Sequence, residues 1–109
     1  MRSFHTKIVG VTFDNPNGQN RQEAIRDLYV HHPTPFVLGI ELDRDNPYDQ
    51  NAVAVYSPNG EQLGFLSKGV ANQVSKWLRS GMDIRATATQ ITGGRGYNYG
   101  VNLLISENE

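Results

Sequence analysis

Residues 46–49 carry the side chains best suited to bind a ligand, on a stretch of backbone with restricted freedom. Pro47 fixes its own φ angle and biases Asn46 towards an extended conformation, while the side chains of Asn46 and Asp49 can hydrogen-bond nearby main chain and hold a turn. An apolar run with the composition of a strand follows at residues 52–55. The pattern therefore predicts a turn that presents Tyr48 and Asp49 in a defined geometry.

The chemistry of this turn suits a single-stranded nucleic acid, which needs aromatic faces for its bases and a few cations for its phosphates. Tyr48, Phe65 and Tyr97 can supply the faces, at about 1 to 3 kcal/mol per stacked base, and Lys68 can meet a phosphate. An ionised Asp49 only accepts hydrogen bonds, so it can bind a free sugar hydroxyl and repel a terminal phosphate. These residues indicate a site that selects unmodified 3′ ends.

Catalysis and metal binding are not expected from the residues present. The three histidines, His5, His31 and His32, have no usual metal-ligand spacing. Residues 43–54 superficially resemble an acidic calcium loop, but Tyr48 stands where that loop requires glycine. Residues 64–69 have the spacing of neither a phosphate-binding P-loop nor a nucleophile elbow. We therefore expect no enzyme activity, no metal and no cofactor.

The composition is that of one ordinary folded domain. A chain of 109 residues fits a single domain, 1–109, with its core at about 5–106. There is no cysteine, no apolar run near the roughly 20 residues that cross a bilayer, and no signal segment, so we expect a cytoplasmic protein outside any membrane. Ten basic and eleven acidic residues give a formal charge of -1, so any nucleic-acid site must be local.

The spacing of apolar residues predicts six strands with two helices among them. The first strand is expected at residues 6–13, where Phe13 shares a face with Val9 and Val11. The further strands are expected at residues 36–42, 52–56, 62–66, 82–89 and 97–105. Mostly amphipathic strands of this length indicate an antiparallel sheet curled into a small barrel and covered by the helices.

Capping residues mark the two helices. Asn20, with Glu23 three residues later, has the arrangement of a capping box at the start of the first helix, and Pro33 prevents its continuation. Ser67 is expected to cap the second helix, which Gly81 ends in a left-handed conformation.

Three motifs together resemble the HIRAN domain, and the resemblance spans nearly the whole chain. They are residues 8–11 (Ile-Val-Gly-Val), residues 46–49 (Asn-Pro-Tyr-Asp) and residues 64–68 (Gly-Phe-Leu-Ser-Lys). HIRAN domains are known as appendages of fork-remodelling helicases and as stand-alone bacterial proteins. The resemblance implies a β-rich α+β fold, a six-stranded antiparallel OB-like barrel with two helices. It also implies a non-catalytic DNA-binding module that captures single-stranded DNA 3′-hydroxyl ends, in DNA repair or replication-fork processing.

The resemblance assigns roles to individual residues. Tyr48 and Asp49 match the tyrosine and aspartate that grip the terminal nucleotide, with Asn46 in support, and Lys68 matches a lysine that contacts phosphate. Four more residues match contact positions of the family. Phe65 stands where a histidine can occur, and Tyr97 aligns with a base-stacking aromatic. Thr12 and Phe13 stand where the best-known member has a basic and then an aromatic residue.

Alternatives stay open for the residues and for the function. Tyr48 can simply pack on the hairpin, Asp49 can only cap its turn, and Phe13 can belong to the core because it shares a predicted strand face with Val9. The second functional hypothesis is a protein-interaction module, in which edge strands or exposed aromatics dock a helicase, a nuclease or another partner peptide. Salt distinguishes the two functions, because phosphate contacts weaken as salt rises and an apolar peptide site changes little.

Overall fold

Six antiparallel strands and two helices make up most of residues 3–107, the part of the chain that this computed structural model describes. The strands are β1 (Ser3–Val9), β2 (Phe36–Leu42), β3 (Val53–Tyr56), β4 (Gln62–Leu66), β5 (Ile84–Gly94) and β6 (Tyr97–Glu107). The helices are α1 (Arg21–His31) and α2 (Lys68–Arg79). The predicted fold class, a six-stranded antiparallel barrel with two helices, is confirmed.

The strands close on themselves in the order β1, β4, β3, β2, β5, β6, after which β6 pairs with β1. The closing ladder runs from Ser3 opposite Ser106 to Lys7 opposite Asn102. A closed barrel removes the unpaired edges on which another strand can add. The surface that remains for recognition consists of the outer faces, the loops and the helices.

Inward-facing side chains of the strands and one face of each helix form a single core. Helix α1 contributes Ile25 and Leu28, and α2 contributes Val74. Burying a side chain of this size is worth roughly 1.5–3 kcal/mol, so the core holds the barrel and the loops at its rim in place. The fully buried strand residues include Val53, Val55, Leu63, Val101, Leu103 and Ile105.

The first strand, predicted at residues 6–13, spans Ser3–Val9, and the face that carries Val9 points outward. It ends at Val9, because Gly10 has a φ of +70° and turns the chain out of the sheet. Ile8 is buried, whereas Val9 is exposed. The predicted face shared by Val9, Val11 and Phe13 is therefore wrong. Phe13 is 66% exposed and is not a core residue.

A bulge in β4 decides the direction in which Phe65 points. The register of β4 against β3 shifts next to Val55, which leaves Leu63 as the extra residue. Leu63 stays fully buried in the core, while Phe65 is only half-buried. The shift in alternation places Phe65 on the outer side of the barrel, where it can take part in a site.

The hairpin of β5 and β6 is longer than predicted. Strand β5 continues to Gly94 instead of ending at residue 89, and beyond Ala88 and Asn102 the described ladders join these two strands only to each other. The tip is made of Gly94, Arg95 and Gly96, all with positive φ. We call the part of this hairpin beyond Ala88 and Asn102 the ribbon. The ribbon places Tyr97 away from the closed part of the barrel.

The caps of the two helices differ, and this difference is testable. The side chain of Asn20 accepts a hydrogen bond from the Glu23 amide at 3.1 Å, as predicted, whereas Ser67 makes no side-chain capping bond. We expect Asn20→Ala to lower the free energy of unfolding by about 1 kcal/mol, and Ser67→Ala to change it by less than about 0.5 kcal/mol. Urea unfolding of both variants measures this, and equal losses would contradict the assigned caps.

Candidate nucleic-acid interface

The turn between β2 and β3 is held by the side chain of Asn46. Its Oδ1 accepts hydrogen bonds from the amides of Tyr48 at 2.9 Å and Asp49 at 3.0 Å. Its Nδ2 donates to the Asp43 carboxylate at 3.2 Å. Asn46 therefore acts as an internal scaffold, which is the supporting role that the sequence predicts, and it fixes the backbone of the two residues that follow Pro47.

Tyr48 and Asp49 are presented differently by this turn. Tyr48 is 93% exposed, so the alternative in which its ring packs on the hairpin is wrong. Asp49 is half-buried, and its Oδ1 accepts a hydrogen bond from the Asn51 amide at 2.9 Å, so it does cap the turn. A carboxylate has about four lone-pair sites, which leaves Asp49 with capacity to accept from a ligand hydroxyl.

Helix α2 lies against the far end of the same turn. Nη1 of Arg79 donates to Oδ1 of Asn51 at 2.7 Å, and its Nη2 donates to the Gln50 carbonyl at 2.8 Å. Asn51 also approaches Asn72, with 3.4 Å between the two amide groups. Lys68 is exposed and precedes Asn72 by four residues, which places both on one face of the helix. The structure thus brings Lys68 to the side of the helix that faces the turn.

A second group of predicted residues meets around Gly10. A methyl group added at Gly10 would lie 3.6 Å from Cδ2 of Phe13 and 3.9 Å from Cδ2 of Phe65. Both aromatic rings therefore border the space beside this glycine, although the two residues are far apart in sequence. Thr12 is exposed in the loop between Gly10 and Phe13.

Arg21 completes this group, and sequence reasoning missed it. Its Nε donates to Asn15 Oδ1 at 2.7 Å, and its Nη1 donates to the Gly10 carbonyl at 2.8 Å. Its guanidinium carbon lies 5.3 Å from the centre of the Phe65 ring, within cation-π range. One signal was available in the sequence: a cation in the first turn of a helix opposes the helix dipole, which favours a tertiary role.

The environment of Arg21 is that of a structural cation. It is 5% exposed, and burial lowers the pKa of its guanidinium, while the charge of Asp14 acts in the opposite direction. Its hydrogen bonds hold the Gly10 carbonyl at the end of β1. Arg21 therefore positions the loop that carries Thr12 and Phe13, and it covers one face of Phe65.

Gln22 forms hydrogen bonds both to the ribbon and to the loop that carries Thr12 and Phe13. Its side-chain amide donates to the carbonyls of Val11 and Tyr99, each at 2.9 Å, and its Oε1 accepts from the Tyr99 amide at 2.6 Å. The Tyr99 ring also packs on Tyr29 of α1, with 5.7 Å between ring centres. Tyr97, two residues further along the ribbon, is 79% exposed. The hydrogen bonds of Gln22 thus connect the β5–β6 hairpin that carries Tyr97 to the loop that carries Thr12.

The surface on the β2 side of the turn is acidic. An open groove of about 550 Å³ is lined by residues 40–45 together with Tyr56 and Leu78. Burial raises the pKa of the Tyr56 phenol, and the charges of Glu41 and Asp43 raise it further. Tyr48 and Asp49 are not among the lining residues, so the candidate interface is an exposed surface beside this groove.

Within residues 3–107, no group of three or more His, Cys, Asp or Glu side chains is arranged to hold a metal ion. No helix in that same range is long and apolar enough to span a membrane.

Comparison with known proteins identifies the family. The model of the HIRAN domain matches residues 1–107, and the chain therefore belongs to the HIRAN domain family, which is known for DNA binding. The resemblance inferred from the three motifs is confirmed. No curated protein gives a significant match.

Solved structures agree on the fold. The HIRAN domain of human HLTF is similar with a TM-score of 0.66 and 19% sequence identity, covering 98% of this chain and 77% of that one. A protein from Lactobacillus plantarum is similar with a TM-score of 0.65 and 12% identity, covering 98% of this chain and 100% of that one. At these identities the likeness establishes the barrel and not the role of single residues.

Proposed function

We propose that this protein is a non-catalytic module that binds single-stranded DNA by its 3′-hydroxyl end. The observation that carries the proposal is the turn of residues 46–49, where a nearly fully exposed tyrosine stands next to a carboxylate with spare acceptor capacity. The membership of a DNA-binding family supports the same ligand class. Free 3′ ends arise in DNA repair and replication-fork processing, and these are the settings we propose for it.

Each proposed contact follows from the chemistry of its side chain. The ring of Tyr48 stacks on the terminal base or sugar, and Asp49 accepts a hydrogen bond from the 3′ hydroxyl. Lys68 meets the phosphate on the 5′ side of that nucleotide. The remaining proposed contacts are Asn46 in support within the turn and four residues outside it: Phe13 and Phe65 around Gly10, Thr12 in the loop, and Tyr97 on the ribbon.

The small net charge restricts how the module can achieve affinity. A protein with a formal charge of -1 does not accumulate many phosphate contacts, so stacking supplies most of the binding free energy. Two stacked aromatics contribute roughly 2 to 6 kcal/mol. This favours recognition of one or two nucleotides at an end over binding along a strand of any sequence.

A protein-interaction module is the second candidate, and the exposed aromatics favour it. Phe13, Tyr48 and Tyr97 are all well exposed, and such residues are typical of peptide-docking surfaces. The closed part of the barrel offers no edge for strand addition, so a helicase or nuclease partner would dock there on side chains, and only the β5–β6 hairpin beyond Ala88 and Asn102 keeps free edges in the described ladders.

Fluorescence anisotropy decides between these candidates. Oligonucleotides of one sequence, labelled at the 5′ end, are compared with a 3′ hydroxyl and with a 3′ phosphate. We expect the hydroxyl form to bind at least about tenfold more tightly, since a hydrogen bond to a charged group is worth roughly 1.5–3 kcal/mol. Equal binding of the two forms would contradict end recognition, and binding of neither would favour the peptide-docking alternative.

A further inference from the structure

The side chain of Arg21 is almost fully buried, yet no carboxylate is in contact with it. It is 5% exposed, and within residues 3–107 it forms no ion pair. Its two hydrogen bonds go to neutral oxygens, one in the Asn15 side chain and one in the Gly10 backbone. Burial lowers the pKa of the guanidinium by more than the charge of Asp14 raises it. Because a buried charge is costly unless it is paired, an anionic partner is missing.

One nitrogen of this guanidinium has its donors to spare. Nε and Nη1 of Arg21 form the two hydrogen bonds, and Nη2 forms none within the described part of the chain. Nη2 is not enclosed either, because in residues 3–107 no buried side-chain nitrogen or oxygen is left without a hydrogen bond. Its N–H groups therefore reach the surface, where an incoming group can accept from them.

The guanidinium and two aromatic rings border the same space beside Gly10. A methyl group at Gly10 would lie 3.4 Å from Nη1 of Arg21, and the rings of Phe13 and Phe65 are its next neighbours. We call the space bordered by these four residues the Gly10 cleft. Phe13 is well exposed and Phe65 is half-buried, so the cleft lies at the surface of the protein. A cation and two aromatic rings are the groups that bind the phosphate and base of a nucleotide.

The guanidinium is oriented before any ligand binds. Asn15, which accepts from Nε of Arg21, is itself buried, and its Nδ2 donates to the Gln62 carbonyl at 2.9 Å. The Phe65 ring covers one face of the cation. Donors held in place in this way bind a ligand at a lower cost in conformational entropy. Holding the loop at Gly10 requires a hydrogen-bond donor but not a charge, so these contacts do not account for the cation.

The Gly10 cleft lies close to the turn of residues 46–49. Phe65 is the ladder partner of Ala54, and residues 50–53 join Ala54 to that turn. An extended chain spans at most 3.3–3.6 Å per residue, so no more than about 18 Å separates Asp49 from Ala54. A strand of a few nucleotides can therefore contact the turn and the cleft together.

We propose that the Gly10 cleft binds an internal phosphate group of the DNA strand, with Nη2 of Arg21 as the donor and the Phe13 ring against the adjoining sugar or base. This inference rests on the proposed function and adds a phosphate contact that neither the turn nor Lys68 supplies. A phosphate brings the negative charge that the buried guanidinium lacks, and guanidinium N–H groups match its oxygens. A free phosphate ion has the same chemistry, so the test must separate the two sources.

Uncharged methylphosphonate linkages locate the phosphate. In a series of eight-nucleotide 3′-hydroxyl strands, one linkage at a time is replaced, and anisotropy gives the affinity of each strand for the wild type and for Arg21→Gln. We expect one internal replacement to weaken wild-type binding by roughly tenfold, the effect of losing a hydrogen bond between charged groups. The same replacement should weaken binding to Arg21→Gln by less than about twofold, because the contact is already lost there.

Two further variants control for charge and for structure. Arg26→Gln removes the same charge from the exposed face of α1, and we expect it to keep the full effect of the sensitive linkage. Asn15→Ala removes the acceptor of Nε and loosens the same network, but it leaves the guanidinium in the protein. It should therefore keep most of the linkage effect even where the overall affinity falls. Thermal unfolding shows whether each variant is folded.

Nuclear magnetic resonance of the wild type provides the test if Arg21→Gln does not fold. The Nε–Hε group of Arg21 is held by its hydrogen bond to Asn15, so its signal can be followed in the intact protein. We expect this signal to shift when the unmodified strand is added, and to shift less with the strand that carries the sensitive methylphosphonate. Inorganic phosphate should shift it only at concentrations far above those of the strand.

The outcomes separate this phosphate contact from end recognition. Linkage effects of equal size in the wild type and Arg21→Gln, or an equal reduction of them in Asn15→Ala and Arg21→Gln, would overturn the contact while the preference for a 3′ hydroxyl persisted. A shift of the Arg21 signal by inorganic phosphate but not by the strand would assign the cleft to a free phosphate ion and overturn the contact as well. A wild type that showed the linkage effect without the hydroxyl preference would overturn end recognition alone.

Discussion

Asp49→Asn is expected to abolish the preference for a 3′ hydroxyl over a 3′ phosphate. The amide keeps an oxygen at Oδ1, so the hydrogen bond from the Asn51 amide, and with it the turn, is retained. The variant loses the negative charge that repels a terminal phosphate and strengthens the bond from a hydroxyl. Since hydrogen bonds to charged groups are worth roughly 1.5–3 kcal/mol, we expect affinity for the hydroxyl end to fall roughly 10- to 150-fold in anisotropy titrations.

Asp45→Asn is the control for this result. Asp45 is exposed near the same turn and lines the acidic groove. Its replacement by asparagine removes the same charge as Asp49→Asn. We expect it to keep the preference for the hydroxyl end, because it changes the general field and not the proposed contact. A variant Asp49→Asn that still distinguished hydroxyl from phosphate ends would remove Asp49 from the proposed site.

Gly64→Ala is expected to destabilise the barrel strongly, because an added methyl group would crowd the contact between β4 and β1. The added carbon would lie 2.6 Å from Cγ2 of Ile8 and closer still to the carbonyl oxygen of Val9, both on β1, and the φ of +154° disfavours a side chain. Overpacking and backbone strain each cost about 1–3 kcal/mol, so we expect a loss of about 3 kcal/mol or more in the free energy of unfolding. At roughly 4–8 °C per kcal/mol, the melting temperature should fall by more than about 10 °C.

Gly69→Ala separates this steric effect from the general effect of replacing glycine. Gly69 lies in the first turn of α2 with no atom within 4 Å of the position that a methyl group would take. Alanine is the better helix former, so we expect stability to be unchanged or slightly raised. Thermal unfolding by circular dichroism compares the two variants. A melting temperature for Gly64→Ala within about 3 °C of the wild type would contradict the close contact between β1 and β4.

The loss at Gly64 should extend to the candidate interface. Phe65 lies next to Gly64, beyond the bulge that turns its ring to the outer surface, and its ladder partner on β1 is Val9. Displacing β1 from β4 therefore also moves Gly10 and the loop of Phe13. This connects the stability of the barrel to the position of one group of proposed contacts.

Features that depend on near neighbours in the chain were predictable. The hydrogen bonds of Asn46 join it to residues two and three positions away, and those of Asn20 reach Glu23, so the sequence contains both partners and their spacing. Hydrophobic periodicity likewise predicted strands β2, β3 and β4 to within a residue of their bounds. Local geometry is sufficient in these cases because few conformations satisfy so short a loop.

Features that depend on distant partners were not predictable. The end of β1 at Val9 follows from a left-handed Gly10 whose carbonyl is held by Arg21, eleven residues away. The ribbon is held against α1 by the hydrogen bonds between Gln22 and the backbone of Tyr99, 77 residues away. Nothing in the local sequence of either pair specifies the contact, because only the closed barrel brings the partners together.

The sequence alone determined the barrel and the chemistry of the turn, since residue type and short-range spacing suffice to choose strand, helix and turn. The tertiary structure decided which residues share a surface with that turn. It put Phe13 outside the core, placed it and Phe65 around Gly10, and put Arg79 of α2 against the turn. The physical reason is that these neighbours are chosen by strand order, by a one-residue bulge and by helix packing, and a shift of one residue in any of them exchanges inside for outside.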